Sequence, residues 1–276
     1  MVKRISQSFI KSFSEYEAGE ECGNIIKHQF VDDQLLERDS PSMAEGVYFE
    51  YCLTGALPKG GKVPQPERTG KGELTMEYKR AEWNARIVST MLFDTWGLKI
   101  ITISKKEGKG IKLTKGIHEG TLDIIVEATK EINGWSIGDR FVIDIKYSGL
   151  LYDKWEKHGW MWSNIQKSYH GTQAKQYSYI SGLPFYFLVV GNKNLLKDGE
   201  WQPTDIKLFY VPVDSHMIET HIEQSIHLFE KFQLLGGDGL EARPSYQRCM
   251  KCPLKDGCAD KHEYPHPVEV DLTLYV

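Results

Sequence analysis

The chain has 276 residues, 41% hydrophobic and 26% charged, with a formal net charge of −4. This composition excludes a disordered or fibrous chain and suits one large domain or two small ones. The negative balance excludes a uniformly basic surface, so any contact with a polyanion must come from a local patch or through metal ions.

The N-terminal stretch "MVKRISQSFIKSFSEYEAG" has basic residues but no continuous apolar core, so it does not read as a secretory signal. No stretch approaches the ~18 apolar residues of a membrane span. A cytoplasmic protein with no membrane partner is therefore expected, and its five cysteines are expected to be metal ligands or buried thiols rather than disulfides. Residues 41–57, "PSMAEGVYFEYCLTGAL", predict a helix with Pro41 near its start and Gly55 near its end. Residues 58–72, rich in Gly, Pro and Lys, predict a loop. Residues 74–96 predict a long amphipathic helix on the spacing of Trp83, Ile87, Met91 and Leu98.

The period then changes to two. "LKIITISKK" and "KGIKLTKGIHEGTLDIIVEA" predict strands, the second stretch turning near Glu119 and Gly120. "NGWSIGD" is a turn, and "RFVIDIKYSG" carries a strand over residues 141–147. "SYHGTQAKQYSYISG" predicts a helix over about 170–181, "PFYFLVVGN" a buried strand, "DIKLFYVPV" another, and 214–235 a helix ended by Gly236 and Gly237. Helices, a strand meander, a helix, two strands and a helix argue for an α/β fold with a mixed central sheet flanked by helices. The chain is read as a single domain over residues 1–276.

Along the strand over 141–147, Phe141, Ile143, Ile145 and Tyr147 share one face, and Val142, Asp144 and Lys146 share the other. On an ordinary strand such charges are simply solvated. Twenty residues separate Asp144 from Asp123, which falls in the middle of the preceding predicted strand. If the two strands are neighbours, both carboxylates project toward one point, an arrangement that needs a cation between them. Mg²⁺ takes oxygen ligands of this kind. Lys146 would face the same point, where it could orient an attacking water or stabilise charge developing on a phosphate. On the helix over 170–181, Gln173 and Tyr177 stand one turn apart and reach one face. Gln176 offers a competing register with Ile180 at the same spacing.

"CMKCPLKDGC" places Cys249, Cys252 and Cys258 in a C-x2-C-x5-C pattern. Three such cysteines need a fourth ligand for a closed site, and Cys22 and Cys52 are the candidates. Cys52 lies inside a predicted helix, where a buried free thiol is the simple reading. Residue chemistry alone leaves zinc and an iron–sulfur cluster both open.

The spacing Asp123-x20-Asp144-x-Lys146 resembles the signature of the PD-(D/E)xK nuclease superfamily. Gly46 followed four residues later by Glu50 resembles the glycine and metal-facing His or Glu of RecB-type members. Gln173 with Tyr177 resembles their Gln-x3-Tyr pair. One N-terminal cysteine with a C-terminal triplet is similar to the iron–sulfur staple of AddB-type domains and of the RecB-like nucleases of CRISPR adaptation and phages.

The resemblance implies a restriction-endonuclease-like core over 41–235. It also implies a cluster-bearing region of residues 1–40 and 236–276, with a [4Fe–4S] cluster held by Cys22, Cys249, Cys252 and Cys258 joining the two ends. Mg²⁺ or Mn²⁺ would be held by Asp123, Asp144, Glu50 and the Ile145 carbonyl, with Lys146 acting on the water or the transition-state charge. Gln173 and Tyr177 would contact DNA near the scissile phosphate. The implied activity is a deoxyribonuclease, expected to act as an exonuclease on single-stranded DNA or duplex ends, in a prokaryotic or phage-infected cell. A helicase or recombination protein would be a separate partner, since the chain carries no helicase motif. DNA contacts are expected from Lys59, Lys62, Arg68 and Lys71, from Lys105, Lys106, Lys109, Lys112 and Lys115, and from Trp155, Trp160 and Trp162 beside Lys154 and Lys157. The rival reading is a non-catalytic iron–sulfur or zinc module that keeps the nuclease fold and binds nucleic acid or a partner.

Overall fold

The computed structural model describes residues 3–34, 40–57, 62–103, 105–106, 109–110, 112–132, 134–149, 151 and 164–262. Helix α1 (Gln7–Glu17) is followed by the single turn α2 (Gly23–Ile26), which runs into a π-helical turn (Lys27–Val31). Helices α3 (Pro41–Thr54) and α4 (Met76–Ser89) come next, the latter extended by a second π-helical turn (Thr90–Thr95). Then come strands β1 (Leu98–Ile103), β2 (Lys105–Lys106), β3 (Lys109–Gly110), β4 (Lys112–Lys115), β5 (His118–Thr121), β6 (Ile124–Ala128) and β7 (Arg140–Ser148). Helix α5 (Asn164–Ser181) leads to β8 (Phe185–Gly191), β9 (Leu196–Lys197), β10 (Glu200–Trp201) and β11 (Ile206–Val211), and helices α6 (Ser215–Leu235) and α7 (Tyr246–Met250) follow. The chain divides into two compact units, Asp39–Gln224 and Met1–Arg38 together with Ser225–Val276.

The unit Asp39–Gln224 is built on a five-stranded sheet in the order β1-β6-β7-β8-β11. Only β7 and β8 are parallel; the other neighbours are antiparallel, so the sheet is mixed as expected. A parallel neighbour needs a crossover, and α5 lies on it. Phe49, Ala81, Val88 and Leu92 from the α3–α4 segment pack with Ile124, Val126, Phe141 and Ile143 on one face of the sheet. Ala174, Tyr177 and Ile180 of α5 pack with Ile125, Val142, Phe185 and Phe187 on the other. Both faces are therefore covered, and the charged face of β7 is not a wet one: Asp144 is 2% exposed.

Helix α3 starts and stops on its own sequence. The Ser40 hydroxyl accepts from Met43 N–H at 3.2 Å, Pro41 opens the first turn, and Gly55 closes the last at φ 71°. Three sequence expectations are displaced. The predicted helix over 74–96 is α4 plus a π-helical turn, and its buried stripe is Tyr78, Ala81, Ala85, Val88 and Leu92. Ile87 is exposed, so the stripe sits one residue away from the spacing of Trp83, Ile87 and Met91. The β4–β5 hairpin turns at Gly116 and Ile117 rather than at Glu119 and Gly120, since Lys115 pairs with His118 and Gly116 takes a positive φ. Helix α5 begins at Asn164, ahead of the predicted residue 170.

The unit Met1–Arg38 with Ser225–Val276 has its own core of Ile5, Phe9, Phe13, Tyr16, Ile26, Phe30, Phe232 and Leu240. Helix α1 was not among the predicted elements. Its signals are the Ser6 side chain capping Phe9 N–H and a stripe of Phe9, Ile10, Phe13 and Tyr16. Among the described residues, no helix is long and apolar enough to cross a membrane.

Candidate functional site

The antiparallel register of β6 and β7 pairs Ile124 with Ile143. Asp123, one residue ahead of Ile124, therefore stands across from Asp144. Asp123 sits in the bend between β5 and β6 rather than in the middle of a strand. Its Oδ2 accepts the Ile145 N–H at 2.8 Å, a bond that ties the bend to β7. Asp144 Oδ2 lies 2.5 Å from Lys146 Nζ in an ion pair. Gln173 reaches over from α5 and donates from Nε2 to Asp144 Oδ1 at 2.5 Å. Tyr177, one turn on, is buried against Phe185, and its phenol is pushed up by burial and then by the charges of Asp144 and Asp123. Asp123, Asp144, Lys146, Gln173 and Tyr177 are thus brought together by three consecutive pieces of the fold.

Glu50 comes from α3 and is half-buried. Its charge acts on both Asp144 and Lys146. Burial pushes Asp144 up to about 7; Lys146 opposes the rise, and Asp123 and Glu50 add to it. Burial alone would lower the Lys146 amine, but the charges of Asp144, Asp123 and Glu50 outweigh it and raise it. Three carboxylates thus act on one ammonium in a place with little water, an imbalance that a hard cation would relieve. Oxygen donors of this type suit Mg²⁺ or Mn²⁺. As placed, no three or more His, Cys, Asp or Glu side chains among the described residues form a ready ligand set for a metal ion. Gly46, four residues before Glu50, faces open space: a Cβ there would meet nothing within 4 Å. A glycine inside a helix costs about 1 kcal/mol relative to alanine, and no packing among the described residues accounts for this one.

The four cysteines of the predicted cluster all belong to the unit Met1–Arg38 with Ser225–Val276. Cys22, Cys249, Cys252 and Cys258 line one cavity of about 330 Å³. Three of the sulfurs accept hydrogen bonds at 3.4 Å: Cys22 from Arg243 N–H, Cys252 from Leu254 N–H, and Cys258 from the Asn24 amide. The Cys252 thiol is pushed up by burial first and then by Cys22, Cys258 and Cys249. A soft, electron-rich sulfur set surrounded by N–H donors fits zinc or an iron–sulfur cluster in its chemistry, although these sulfurs too fall short of a ready ligand set as placed. Cys52 is exposed rather than buried.

The expected DNA contacts divide. Lys62, Arg68 and Lys71 are exposed on the loop before α4. Lys112 pairs with Glu119 at 3.1 Å, and Lys115 donates to the Tyr179 carbonyl at 3.2 Å, so both are engaged within the fold. Lys59, Lys154, Lys157, Trp155, Trp160 and Trp162, and the side chains of Lys105, Lys106 and Lys109, lie outside the described residues. Sequence reasoning missed His118 and His221, both buried polar residues near α5. No local spacing links them, so no motif could have found the pair.

No protein-family model and no curated protein matches the chain. Among solved structures, a crystal structure of a candidate exonuclease from Eubacterium rectale is similar, with a TM-score of 0.56 and 16% identity. The similarity covers 99% of this chain and 92% of that one. At this identity what is shared is the fold: the mixed sheet with helices on both faces, along nearly the whole length of both proteins.

Proposed function

We propose that the chain is a metal-dependent DNA nuclease of the PD-(D/E)xK superfamily, of the RecB/AddB-like kind, acting as an exonuclease. The observation that carries the reading is the meeting of Asp123, Asp144 and Lys146 at the β6–β7 register, with Gln173 of α5 bonded to Asp144. A fold shared with a protein named as a candidate exonuclease supports it. So does the open space at Gly46, which would let a DNA strand run close along α3 past Glu50.

Asp123, Asp144, Glu50 and the Ile145 carbonyl would hold Mg²⁺ or Mn²⁺. When bound, the cation would supply positive charge for the scissile phosphate and for a water made more acidic. Lys146 would hold its proton beside that phosphate, because the surrounding carboxylates keep the ammonium charged. Gln173 would fix the Asp144 carboxylate through one oxygen and leave the other directed at Lys146. Tyr177 would support Gln173 from the next turn and bring its hydroxyl toward the DNA. In the other unit, Cys22, Cys249, Cys252 and Cys258 would bind a [4Fe–4S] cluster, with zinc as the competing occupant. The cluster's contribution would be structural, closing one unit around its ends.

The deciding experiment is digestion of end-labelled and circular DNA, single- and double-stranded, with Mg²⁺, with Mn²⁺ and with EDTA. Divalent-dependent loss of linear but not circular DNA is expected. Cleavage of circles would make the enzyme an endonuclease, and absence of cleavage with every cation would remove the nuclease reading.

A further inference from the structure

Helix α5 carries a third polar residue that the chemistry above leaves unused. Gln176 is fully buried, at 0% exposure. Its Nε2 donates to the Glu119 carbonyl at 3.1 Å. Its Oε1 meets His118 Nδ1 at 3.2 Å and His221 Nε2 at 2.9 Å. A carbonyl only accepts, so the NH₂ end of the amide must face Glu119 and its oxygen must face both rings. An amide oxygen cannot donate, so both imidazoles do. His118 is thereby fixed with its proton on Nδ1, and His221 with its proton on Nε2. His118 Nε2 is buried with no hydrogen-bond partner among the described residues, as fits a bare lone pair on a neutral ring. Burial lowers both imidazoles, and Lys175 on α5 adds to the effect at His221.

The β4–β5 hairpin grips α5 at neighbouring points as well. A Cβ on Gly120 would come within 2.6 Å of Ile180 Cδ1 and 2.9 Å of the Tyr177 ring, so only glycine lets the strand and helix approach this closely. Lys115 Nζ lies 4.6 Å over the Tyr179 ring, and that ring stands edge-on to His118. Gln176 is three residues past Gln173, one turn along and on a neighbouring face. A turn or slide of α5 that frees Gln176 therefore also withdraws Gln173 from Asp144.

We propose that Gln176, clamped between His118 on β5 and His221 on α6, is a positioning residue of the candidate site, holding α5 in the rotation that points Gln173 at Asp144. Its effect on cleavage rests on the nuclease reading; the clamp itself does not. The test uses ¹⁵N-labelled protein. Long-range proton–nitrogen spectra at neutral pH are expected to show His118 as the Nδ1–H form and His221 as the Nε2–H form, and the opposite form at His118 would overturn the proposal. Exchange of the Gln173 side-chain amide protons with solvent then reads the position of α5 without any activity. His221→Leu, which cannot donate, is expected to speed that exchange at least tenfold and to lower kcat about as much, with KM within twofold. His221→Gln, whose amide can donate to Gln176, is expected to restore both to within threefold of the parent. Equal behaviour of the two variants at matched folding would reduce the clamp to a packing feature and sink the proposal. A parent protein that cleaves no DNA would fail the nuclease reading alone, since tautomers and amide exchange still decide this one.

Discussion

Asp144 has almost no exposed surface, and its neighbours include two further carboxylates. A carboxylate in such a place opposes folding while it is charged, because its burial and the neighbouring carboxylates outweigh the pair with Lys146. Asp144→Asn keeps the shape and can still accept from Gln173. It is therefore expected to abolish cleavage while raising the melting temperature of metal-free protein at pH 8 by at least ~2 °C, measured by calorimetry beside the digestion assay. A variant that loses activity and stability together would make Asp144 structural. Lys146→Ala is expected to remove cleavage with the fold retained, and activity within a few fold of the parent would take Lys146 out of the site. Gln173→Ala is expected to cost more activity than Tyr177→Phe, because it strips Asp144 Oδ1 of its donor, while the phenylalanine loses only a hydroxyl. His221 provides a pH signature. Burial, then Lys175 and His118, lower it to about 4 from its ordinary 6.5. A neutral ring in the fold opposes protonation, so its contribution is complete above pH 6.5 and is lost as the pH falls from there through about 4. The full loss is of order 3 kcal/mol. Denaturant titrations at pH 7.5 and pH 4.5 are expected to show a steeper acid loss in the parent than in His221→Gln, and equal slopes would contradict it.

At the scale of elements, what the sequence made legible is what local chemistry decides. Ser40, Pro41 and Gly55 bound α3 as their capping roles require. The alternation over residues 141–147 is the strand β7, and the spacing of Gln173 and Tyr177 sets both on the inward side of α5. What was illegible depends on partners distant in sequence. Gly120 looked like a turn residue, but its missing side chain makes room for Tyr177 and Ile180, and the turn belongs to Gly116. That the Asp144 face is dry, where an ordinary strand would solvate such charges, is due to α5 covering it, a fact held in the crossover from β7 to β8 and in no residue of β7 itself. The stripe on α4 was misjudged because large side chains outweigh alanines in a periodicity count, while Ala81 and Ala85 are the positions that touch the core. The fit at Gly120 gives a direct test. Gly120→Ala is expected to destabilise the protein by about 1–3 kcal/mol through overpacking, and a change under ~0.5 kcal/mol by denaturant titration would show that α5 can back away.

For the whole molecule, Cys22 and the triplet from Cys249 to Cys258 draw together segments from the two ends of the sequence within one compact unit. A crosslink over a loop of this length is worth on the order of 5 kcal/mol in the chain-entropy treatment. Protein prepared without oxygen is expected to be brown, with iron and sulfide in equal amounts. Cys22→Ala is expected to bleach and destabilise it, and Cys52→Ala, on an exposed position of α3, to do neither. Colourless protein with one zinc per chain would replace the cluster with zinc, and bleaching by Cys52→Ala alone would move the fourth ligand. With a net charge of −4, the proposed nuclease would have to draw a DNA end by local cations and its metal, not by its overall field. The most direct measurement is therefore digestion of end-labelled linear DNA by the parent protein and by Asp144→Asn, with Mn²⁺ or Mg²⁺ and with EDTA. Cleavage by the parent that needs the cation and disappears in the folded variant is the expected result. Equal cleavage by both proteins, or cleavage that survives EDTA, would contradict a catalytic site built on Asp123, Asp144 and Lys146.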